Sequence, residues 1–486
     1  MRNREKKLDS QKRISQLFAF QLEKAGKFIR KVIGSKNRSF IRRHLVIQVN
    51  FRSSFFLIME SKTTPPPSPS RPRSAPPSPS RIMAKKILRQ STDAGLMPYT
   101  SEALTVVVLG ASGDLAKKKT YPSLFALFLG GYIPSHCSII GFARSGYTDD
   151  SFRDKCRGYL AGKGGAEGAA RLDEFLQLCS YERGTSYDDV EAWKNVDVRA
   201  TSSESAFNAA NRVFYFAVPP DVFAAAGSAI KGQCMSSRGW NRMIIEKPFG
   251  KDSASSHELG ERLLKSFNED ELYRIDHYLG KEVVQNFMVL RFGNIFLQPL
   301  WNRDYIKSVI ISFKEDIGTQ GRGGYFDGYG IIRDVMQNHL LQILSLVAME
   351  PPVRVSGEGY ANYVRDEKVK ALRCIPPLKL DDVILGQYTR SGDQPGYLED
   401  PTVPEDSICP TYCCAKFQIN NARWAGVPFI MKAGKALDKR KCEIRIQFKP
   451  PPGSDSMFAG VDIPLNELVI RVQPDDAIYF KCNIKT

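Results

Sequence analysis

The stretch Thr-Val-Val-Val-Leu-Gly-Ala-Ser-Gly-Asp-Leu-Ala-Lys at residues 105–117 decides how the first half of the chain folds. Its first five residues form an unbroken, largely β-branched apolar run, which is typical of a buried parallel strand. Gly110 and Gly113 follow at once, and residues 121–128 then show apolar side chains at helical spacing. Strand, glycine turn and helix in this order predict a dinucleotide site, because glycines let the backbone approach a pyrophosphate and the helix N-terminus faces its charge.

A second strand-like run, residues 138–142, ends close to Arg144. Enzymes that use NAD commonly have an acidic residue here, which binds the ribose 2′-hydroxyl. An arginine would instead pair with a 2′-phosphate, and the lysines at 117–119 add positive charge nearby. The sequence therefore favours NADP, although a surface charge on a loop is the alternative interpretation of Arg144.

Two further runs, residues 212–218 and 243–245, have the composition of buried strands and extend the predicted parallel sheet. Lys247 follows the second run, at the carboxyl end of a strand, which is where such sheets bind ligands. Residues 162–208 are loop-like and helical in character, and a helix is predicted over residues 252–267.

The pattern changes after Asp276, where a helix over residues 283–290 gives way to β-rich segments. These segments are residues 308–313, 383–388, 412–419, 442–448, 467–472 and 477–482. Glycine-rich turns precede a long helix over residues 331–349. The fold class is therefore α/β plus α+β: an N-terminal Rossmann-like domain, then a larger α+β domain with a mainly antiparallel sheet.

Residues 274–282 gather a carboxylate, an imidazole, a phenol and an ammonium within nine positions. His277, Tyr278 and Lys281 can donate hydrogen bonds to an anion, and Lys281 adds a fixed charge. Asp276 cannot donate when it is ionised, so orienting a histidine is a role that suits it. A solvated polar turn is the alternative.

His339 lies within the apolar helix predicted over residues 331–349. A histidine in such a setting is usually a core residue with satisfied hydrogen bonds. Its five-residue spacing from Asp334 does not by itself place the two side chains on one face of an α-helix.

The net charge of +17 is confined to the start of the chain. Residues 1–90 carry a net charge of +18 and the remainder a net charge of −1. This distribution argues against a nucleic-acid-binding domain in the body of the chain. The ten cysteines are scattered, and the densest group, Cys409, Cys413 and Cys414, lacks paired C-x-x-C spacing, so no metal site is predicted.

Residues 1–100 do not have the pattern of a folded core, and residues 63–80 are rich in proline and serine. A disordered basic extension, an unused upstream start and a transit peptide are three interpretations of this segment. The first two predict a cytoplasmic protein and the third a plastid one.

Several motifs in fixed order resemble the glucose-6-phosphate dehydrogenase family from about residue 105 onward. They are residues 110–117 (GASGDLAK), 246–250 (EKPFG), 274–282 (RIDHYLGKE), 333–339 (RDVMQNH) and 434–437 (GKAL). The resemblance implies oxidation of glucose 6-phosphate at C1 with formation of NADPH. It places the NADP-binding domain at residues 101–276 and the substrate-binding and dimerisation domain at residues 277–486.

The resemblance also implies roles for individual residues. The catalytic base would be His339, with Asp276 as its carboxylate partner. Substrate would be bound by Lys247, His277, Tyr278, Lys281, Glu315, Asp334, Lys435, Arg440 and Gln473. The cofactor would be bound by Gly110, Ala111, Ser112, Gly113, Asp114, Leu115, Ala116, Lys117, Arg144, Tyr215 and Lys247, with a cis bond between Lys247 and Pro248.

Family members continue beyond the position that matches Thr486, which predicts a second domain incomplete at its C-terminal end and a sheet with an unpaired edge. Family members form dimers and tetramers through this sheet, so a homo-oligomer is expected, with neither nucleic acid nor membrane as a partner. Two alternatives stay open at this point: another NADP-linked sugar oxidoreductase, and a non-catalytic partner subunit or inactive truncated product.

Overall fold

The computed structural model describes residues 102–134, 136–355 and 360–484, together with the backbone of residues 45–49. It divides into two compact units, with the boundary in the body of the chain after Gly280. The greater part of the N-terminal extension lies outside the described residues. In the described part of the chain, the helices are all too short or too polar to cross a membrane.

The strands of the described residues are β1 (Leu45–Val49), β2 (Glu102–Leu109), β3 (Ser138–Ala143), β4 (Cys179–Arg183), β5 (Ala209–Phe216), β6 (Asn241–Ile245), β7 (Leu272–Arg274), β8 (Ile306–Lys314), β9 (Val383–Gly386), β10 (Tyr412–Phe417), β11 (Phe429–Gly434), β12 (Lys441–Phe448), β13 (Glu467–Gln473) and β14 (Ala477–Cys482). The α-helices are α1 (Tyr121–Leu129), α2 (Asp149–Leu160), α3 (Gly165–Gln177), α4 (Val190–Glu204), α5 (Phe223–Gln233), α6 (Ser253–Leu264), α7 (Glu282–Phe292), α8 (Gly323–Asp327), α9 (Leu341–Ala348), α10 (Tyr360–Arg373) and α11 (Ser454–Met457). Two π-helical segments, Ala116–Thr120 and Ile332–Leu340, precede α1 and α9.

The first unit is built on a six-stranded sheet of order β4-β3-β2-β5-β6-β7, in which every neighbouring pair is parallel. Successive side chains of β2 point to opposite faces: Val106 and Val108 enter one core, and Val107 and Leu109 the other. Helices α1 to α3 cover the first face and α4 to α6 the second. Both faces are therefore buried, which explains the continuous apolar run at residues 105–109.

The predicted strands of this unit are confirmed, but the two edge strands were not foreseen: the three-residue β7, and β4 in the stretch over residues 162–208. The sequence of β4, Cys-Ser-Tyr-Glu-Arg, alternates between buried and partly exposed positions at the edge of the sheet. A short edge strand of this composition lacks the apolar run that marks the central strands.

The second unit is built on an eight-stranded sheet of order β1-β14-β13-β12-β8-β11-β10-β9. Every pair is antiparallel except β8 and β11, so the prediction of a mainly antiparallel sheet is confirmed. The strand β11 was not foreseen. It is short, and Lys432 interrupts its apolar pattern.

The prediction of an unpaired edge beyond β14 is wrong. The backbone of β1 pairs antiparallel with β14, with Leu45 opposite Cys482 and Val49 opposite Ile478. These five residues therefore also depart from the disordered extension predicted for residues 1–100. The rest of that prediction lies outside the described residues.

The predicted helix over residues 331–349 is present, but its first half is π-helical rather than α-helical. In an α-helix, residues five positions apart point about 140° away from each other, given 3.6 residues per turn. The i→i+5 hydrogen bonds of a π-helix bring such residues to one side. The segment Ile332–Leu340 therefore brings Asp334 and His339 toward one side of the helix, which the sequence alone did not indicate.

Candidate active site

The turn after β2 depends on glycine. Gly110 has a φ of +75°, and a Cβ at this position would lie 2.4 Å from the carbonyl oxygen of Ala217. The amide groups of Gly110 and Ala111 both donate to the carbonyl of Phe142, at 2.8 and 3.3 Å. The turn, the end of β3 at Phe142 and Ala217 after β5 approach each other closely here, and only glycine fits at position 110. The turn therefore lies directly at the carboxyl edge of the sheet.

A cleft of about 550 Å³ lies at this turn, where the strand order of the sheet reverses. It is lined by Gly110, Ser112, Gly113, Arg144, Ser145, Tyr187, Ala217, Val218 and Pro219. Four predicted cofactor residues, Gly110, Ser112, Gly113 and Arg144, therefore meet in one place. The hydroxyl oxygens of Ser112 and Ser145 are 2.9 Å apart, which joins the glycine turn to the end of β3.

The sequence analysis missed Tyr187, which also lines the cleft. The guanidinium of Arg144 lies 5.8 Å from the centroid of the Tyr187 ring, within the range of a cation–π contact. Tyr187 comes from the loop between β4 and α4 and has no motif of its own. Only recognition of β4 as a strand would have placed it at this edge of the sheet.

The charge of the cleft suits a phosphorylated dinucleotide. Arg144 lines the cleft, and none of the described lining residues carries a carboxylate. The cleft is bordered by a turn that requires glycine, since a Cβ at Gly110 would collide with the Ala217 backbone, and glycine turns of this kind receive the pyrophosphate in dinucleotide-binding sheets. The residues present therefore fit an NAD(P)-type cofactor, and the arginine stands where an NAD-specific site would have an acid.

The remaining residues of the glycine motif do not line the cleft. Ala111 is fully buried beneath it, and Asp114 forms an exposed ion pair with Lys118 at 2.9 Å. Leu115 and Ala116 begin the π-helical segment, as its cap and first residue. Lys117 is exposed, with its ammonium 5.8 Å from the centroid of the Tyr159 ring.

Tyr215, near the end of β5, and Lys247, just after β6, lie at the same edge of the sheet. The Tyr215 hydroxyl, buried at the end of β5, donates a 2.5 Å hydrogen bond to Glu246. Burial raises the pKa of the Glu246 carboxyl, although Tyr215 and Lys247 favour its ionised form. The peptide bond between Lys247 and Pro248 is cis, which confirms the expectation from the family resemblance.

Asp276 begins a tight turn directly after β7. Its side chain accepts a 2.9 Å hydrogen bond from the amide of Tyr278, and its carbonyl accepts from Leu279 and Gly280. The rings of His277 and Tyr278 are 5.1 Å apart, and Tyr278 is buried. Because β6 and β7 are parallel neighbours, this turn and Lys247 lie at the same edge of the first unit's sheet.

In the second unit, Lys281 is a buried ammonium, only 5 % exposed. It caps the start of α7, and its Nζ donates to the side-chain oxygen of Gln473, the last residue of β13, at 3.2 Å. Two predicted substrate residues that are far apart in sequence are therefore neighbours. This place in the second unit therefore combines an ammonium shielded from solvent with a side-chain amide, two groups that can bind a polar ligand.

Glu315 and Lys435 form a second such pair. The parallel strands β8 and β11 end side by side, with Lys314 opposite Gly434, so the next residue of each chain segment meets the other. Lys435 Nζ lies 2.5 Å from Glu315 Oε2 and 5.2 Å from the centroid of the Phe326 ring. Arg440, by contrast, is exposed in the turn that leads into β12.

His339 is 3 % exposed and lies in the π-helical segment with Asp334. The side chain of Asn338 bridges this segment: it donates to the carbonyl of Asp334 at 2.9 Å and accepts from the His339 amide at 2.6 Å. The sequence analysis did not single out Asn338. A side chain that occupies backbone hydrogen-bonding groups is a recognised cause of local departure from α-helical geometry.

The fold and these groups define a class of protein. A Rossmann-type unit with an arginine-lined cleft, followed by a unit with buried cations, carboxylates and a histidine, is the architecture of an NAD(P)-linked dehydrogenase.

Comparison with known proteins identifies the family within that class. Two family profiles match in succession: "Glucose-6-phosphate dehydrogenase, NAD binding domain" over residues 107–286, and "Glucose-6-phosphate dehydrogenase, C-terminal domain" over residues 288–486. The chain belongs to the glucose-6-phosphate dehydrogenase family.

Individual relatives agree with this result. The chain is 52 % identical to the glucose-6-phosphate 1-dehydrogenase of Dictyostelium discoideum, over 79 % of the chain and 76 % of the relative. It is 49 % identical to glucose-6-phosphate 1-dehydrogenase 6, cytoplasmic, of Arabidopsis thaliana, over 80 % and 75 %. A solved glucose-6-phosphate dehydrogenase in complex with glucose 6-phosphate is 48 % identical, with a TM-score of 0.74 over 79 % of each chain.

Proposed function

We propose that this enzyme oxidises β-D-glucose 6-phosphate at C1 to 6-phospho-D-glucono-1,5-lactone with NADP, the first step of the oxidative pentose phosphate pathway. The observation that carries the proposal is the match of both units to one dehydrogenase family, over ranges that contain every candidate catalytic and substrate residue. The local geometry supports it, because predicted residues that are distant in sequence meet as Lys281 with Gln473 and as Glu315 with Lys435.

His339 is the proposed base. Oxidation at C1 requires removal of the proton from the C1 hydroxyl, and a neutral imidazole suits this task near neutral pH. Asp276 is its proposed carboxylate partner, which stabilises the imidazolium as it forms. Bound NADP would accept the hydride from C1. The carbonyl of the lactone forms as the O–H and C–H bonds break.

His277, Tyr278 and Lys281 are the proposed binding groups for the substrate phosphate. All three are donors, and Lys281 brings a charge that is shielded from solvent. Charge-assisted hydrogen bonds to phosphate are about twice as strong as neutral ones. A shielded cation therefore provides affinity for phosphorylated sugars over free sugars.

The sugar hydroxyls are proposed to bind the remaining polar groups, Glu315, Asp334, Lys435, Arg440 and Gln473. Lys247 is proposed to contact both substrate and cofactor, since it stands at the carboxyl edge of the dinucleotide-binding sheet.

The proposed cofactor is NADP rather than NAD. Arg144 would bind the 2′-phosphate in the cleft, where the Tyr187 ring supports its guanidinium. Gly110, Ser112 and Gly113, which line the cleft, would receive the pyrophosphate, and the following residues through Lys117 would form the start of the helix behind it. Tyr215 would contribute from the neighbouring strand.

A cytoplasmic homo-oligomer, assembled through the sheet of the second unit, completes the proposal. The compartment is supported by similar plant enzymes that are cytoplasmic isoforms. Light scattering of the purified chain, with and without NADP, would measure the oligomeric state.

The decisive experiment follows NADPH absorbance with glucose 6-phosphate, for the parent protein and for His339→Asn. We expect the substitution to reduce kcat by at least about 10²-fold, as for loss of a general base, with substrate affinity within a few-fold. His257→Asn is the matched control, because His257 is an exposed histidine on α6. Substantial kcat in His339→Asn would remove that residue from its role, and inactivity of a folded parent protein would overturn the proposed function.

A further inference from the structure

The C-terminal end of α9, the helix that continues directly from the His339 segment, is closed by side chains. The last four carbonyl groups of an α-helix have no partner within the helix. Here, four consecutive carbonyl groups accept from indole or guanidinium donors. Leu346 accepts from Arg291 at 2.6 Å, Val347 from Trp301 at 3.0 Å, Ala348 from Trp424 at 2.9 Å, and Met349 from Arg291 at 2.8 Å.

These three donors, Arg291, Trp301 and Trp424, are called here the helix clamp. All three are buried, with exposed fractions of 4 %, 2 % and 0 %. They come from two separate parts of the chain, the end of α7 with its following loop and the loop before β11. Because each donor meets a different carbonyl or pair of carbonyls, the helix clamp fixes both the rotation of α9 and its position along its axis.

A second layer holds the helix clamp itself. Arg423 makes two hydrogen bonds to Glu350, at 2.8 and 2.6 Å, and a third to the carbonyl of Trp301 at 2.7 Å. Hydrogen bonds from Arg423 lower the pKa of Glu350, so its carboxylate is ionised at neutral pH. Glu350, which lies just beyond the end of α9, is therefore bound to the same two loops that provide Trp301 and Trp424.

Burying Arg291 is costly, which indicates a use for it. Desolvation, with the nearby charge of Arg423, lowers the pKa of the Arg291 guanidinium below its ordinary value. Two helix carbonyls and the Trp301 ring, whose centroid is 5.2 Å away, offset part of this cost. A positive charge is also favoured at the negative end of a helix.

We propose that the helix clamp consists of positioning residues for the proton-transfer step, because it sets where His339 stands relative to the C1 hydroxyl. This inference rests on the proposed role of His339. The π-helical segment Ile332–Leu340 runs directly into α9, so the rotation and axial position of α9 determine where the downstream end of the segment, which carries His339, is placed. The Asn338 bridge restrains the segment itself, and the helix clamp restrains α9.

Arg291→Lys and the double substitution Trp301→Phe with Trp424→Phe test the proposal. Lysine keeps the charge but cannot donate to two carbonyls in a planar fork. Phenylalanine keeps an aromatic ring and removes only the N–H donor, so the double variant is the milder change. Arg212→Lys is the matched control: Arg212 is also a buried guanidinium, but it binds Glu204 and Asp197 within the first unit.

We expect both clamp variants to lose at least about 10-fold in kcat per folded molecule, since a misplacement of 1 Å can cost about 10²-fold in rate. The KM for glucose 6-phosphate and the Kd for NADP should change by less than about threefold, because the binding groups remain. With C1-deuterated substrate, the isotope effect on kcat should rise, as the chemical step becomes slower. Arg212→Lys should lower Tm without altering the isotope effect.

A solely structural role predicts a different result: activity lost in proportion to the unfolded fraction, with an unchanged isotope effect. That outcome, or normal kcat in the double tryptophan variant, would overturn the proposal. The double variant decides the matter if Arg291→Lys does not fold. Parallel assays of the parent protein and His339→Asn separate failure of this inference from failure of the proposed function.

Discussion

Lys281 shows how much one side chain can determine. Its ammonium is almost completely withdrawn from solvent beside Gln473, at the start of α7. The composition of residues 274–282 indicated only donors to an anion, and the family resemblance assigned His277, Tyr278 and Lys281 to the substrate. The structure adds that the charge is buried and that its neighbour arrives from almost two hundred residues later.

Replacing Lys281 with alanine should raise the KM for glucose 6-phosphate by about 10- to 100-fold, because a hydrogen bond to a charged group contributes about 1.5–3 kcal/mol. The change in KM for free glucose should be much smaller, since glucose has no phosphate for Lys281 to bind. Steady-state kinetics with both sugars measure the difference, and Lys307→Ala, an exposed lysine on β8, is the control. An equal change for the two sugars would show that Lys281 does not bind the phosphate.

Replacing Arg144 with alanine should weaken NADP binding by about 10-fold or more and leave NAD binding within a few-fold, because only NADP has a 2′-phosphate for the arginine to pair with. Fluorescence titration with both cofactors gives the two Kd values. If the variant weakens both cofactors alike, Arg144 contributes to the cleft by packing on Tyr187 rather than by recognising phosphate.

At the scale of elements, sequence patterns predicted the central strands well and the edges poorly. The β-branched run at 105–109 leaves little alternative to a buried parallel strand, whereas β4 and β11 are short or interrupted by polar residues. The π-helical segment was not predictable from periodicity. Apolar spacing reports which face is buried, but it does not report that Asn338 occupies backbone groups of the helix.

Replacing Asn338 with alanine should lower both stability and kcat. Two hydrogen bonds are lost at about 1 kcal/mol each, and the π-helical segment can relax toward α-helical geometry, which turns His339 away from the side of Asp334. Thermal unfolding and steady-state kinetics measure the two effects. Gln337→Ala, an exposed neighbour in the same segment, should change neither. Unchanged kcat in Asn338→Ala would show that the bridge is not needed for catalysis.

At the scale of the whole molecule, the family resemblance supplied what the residues alone could not. Residue patterns gave a cofactor domain and a β-rich second domain, and they confined the excess positive charge to residues 1–90. The roles of Glu315, Lys435 and Gln473 came only through the resemblance. Their spacing in sequence carries no signal, because the sheet of the second unit brings them to their neighbours.

The outer half of that sheet carries a network of charges that should make stability depend on pH. Burial alone would raise the pKa of Glu467. Hydrogen bonds from Lys481 and Gln447, with the charge of Arg445, outweigh this effect, so the pKa of Glu467 is lowered overall. Glu443, between Lys441 and Arg445, is also lowered overall. A carboxyl whose pKa is lower in the folded than in the unfolded chain stabilises the fold above the unfolded value, and this contribution disappears as the pH falls through the folded value.

We therefore expect Tm to fall as the pH drops from about 5 to about 3, below the pKa of a carboxyl in the unfolded chain, and to fall less steeply in the double variant Glu443→Gln with Glu467→Gln. At pH 7 the double variant should itself be less stable, by about 2–4 °C for each kcal/mol lost. Calorimetry across this pH range measures both effects, and Glu258→Gln, at an exposed position on α6, is the control. Parallel pH profiles for the parent and the double variant would contradict the expectation.

The strand order of the second sheet also has a consequence during protein synthesis. The first unit's sheet can form once β7 has left the ribosome, because its strands lie in one continuous stretch of chain. The strand β8, in contrast, lies between β11 and β12, which begin only at Phe429 and Lys441. At a translation rate of about 5–20 residues per second, roughly 6 to 25 s pass between synthesis of β8 and synthesis of β11 and β12. During this time neither edge of β8 has its partner strand. A nascent chain with a completed nucleotide-binding unit and an unpaired, strongly apolar strand is a natural client for ribosome-associated chaperones, and slower translation lengthens that exposure.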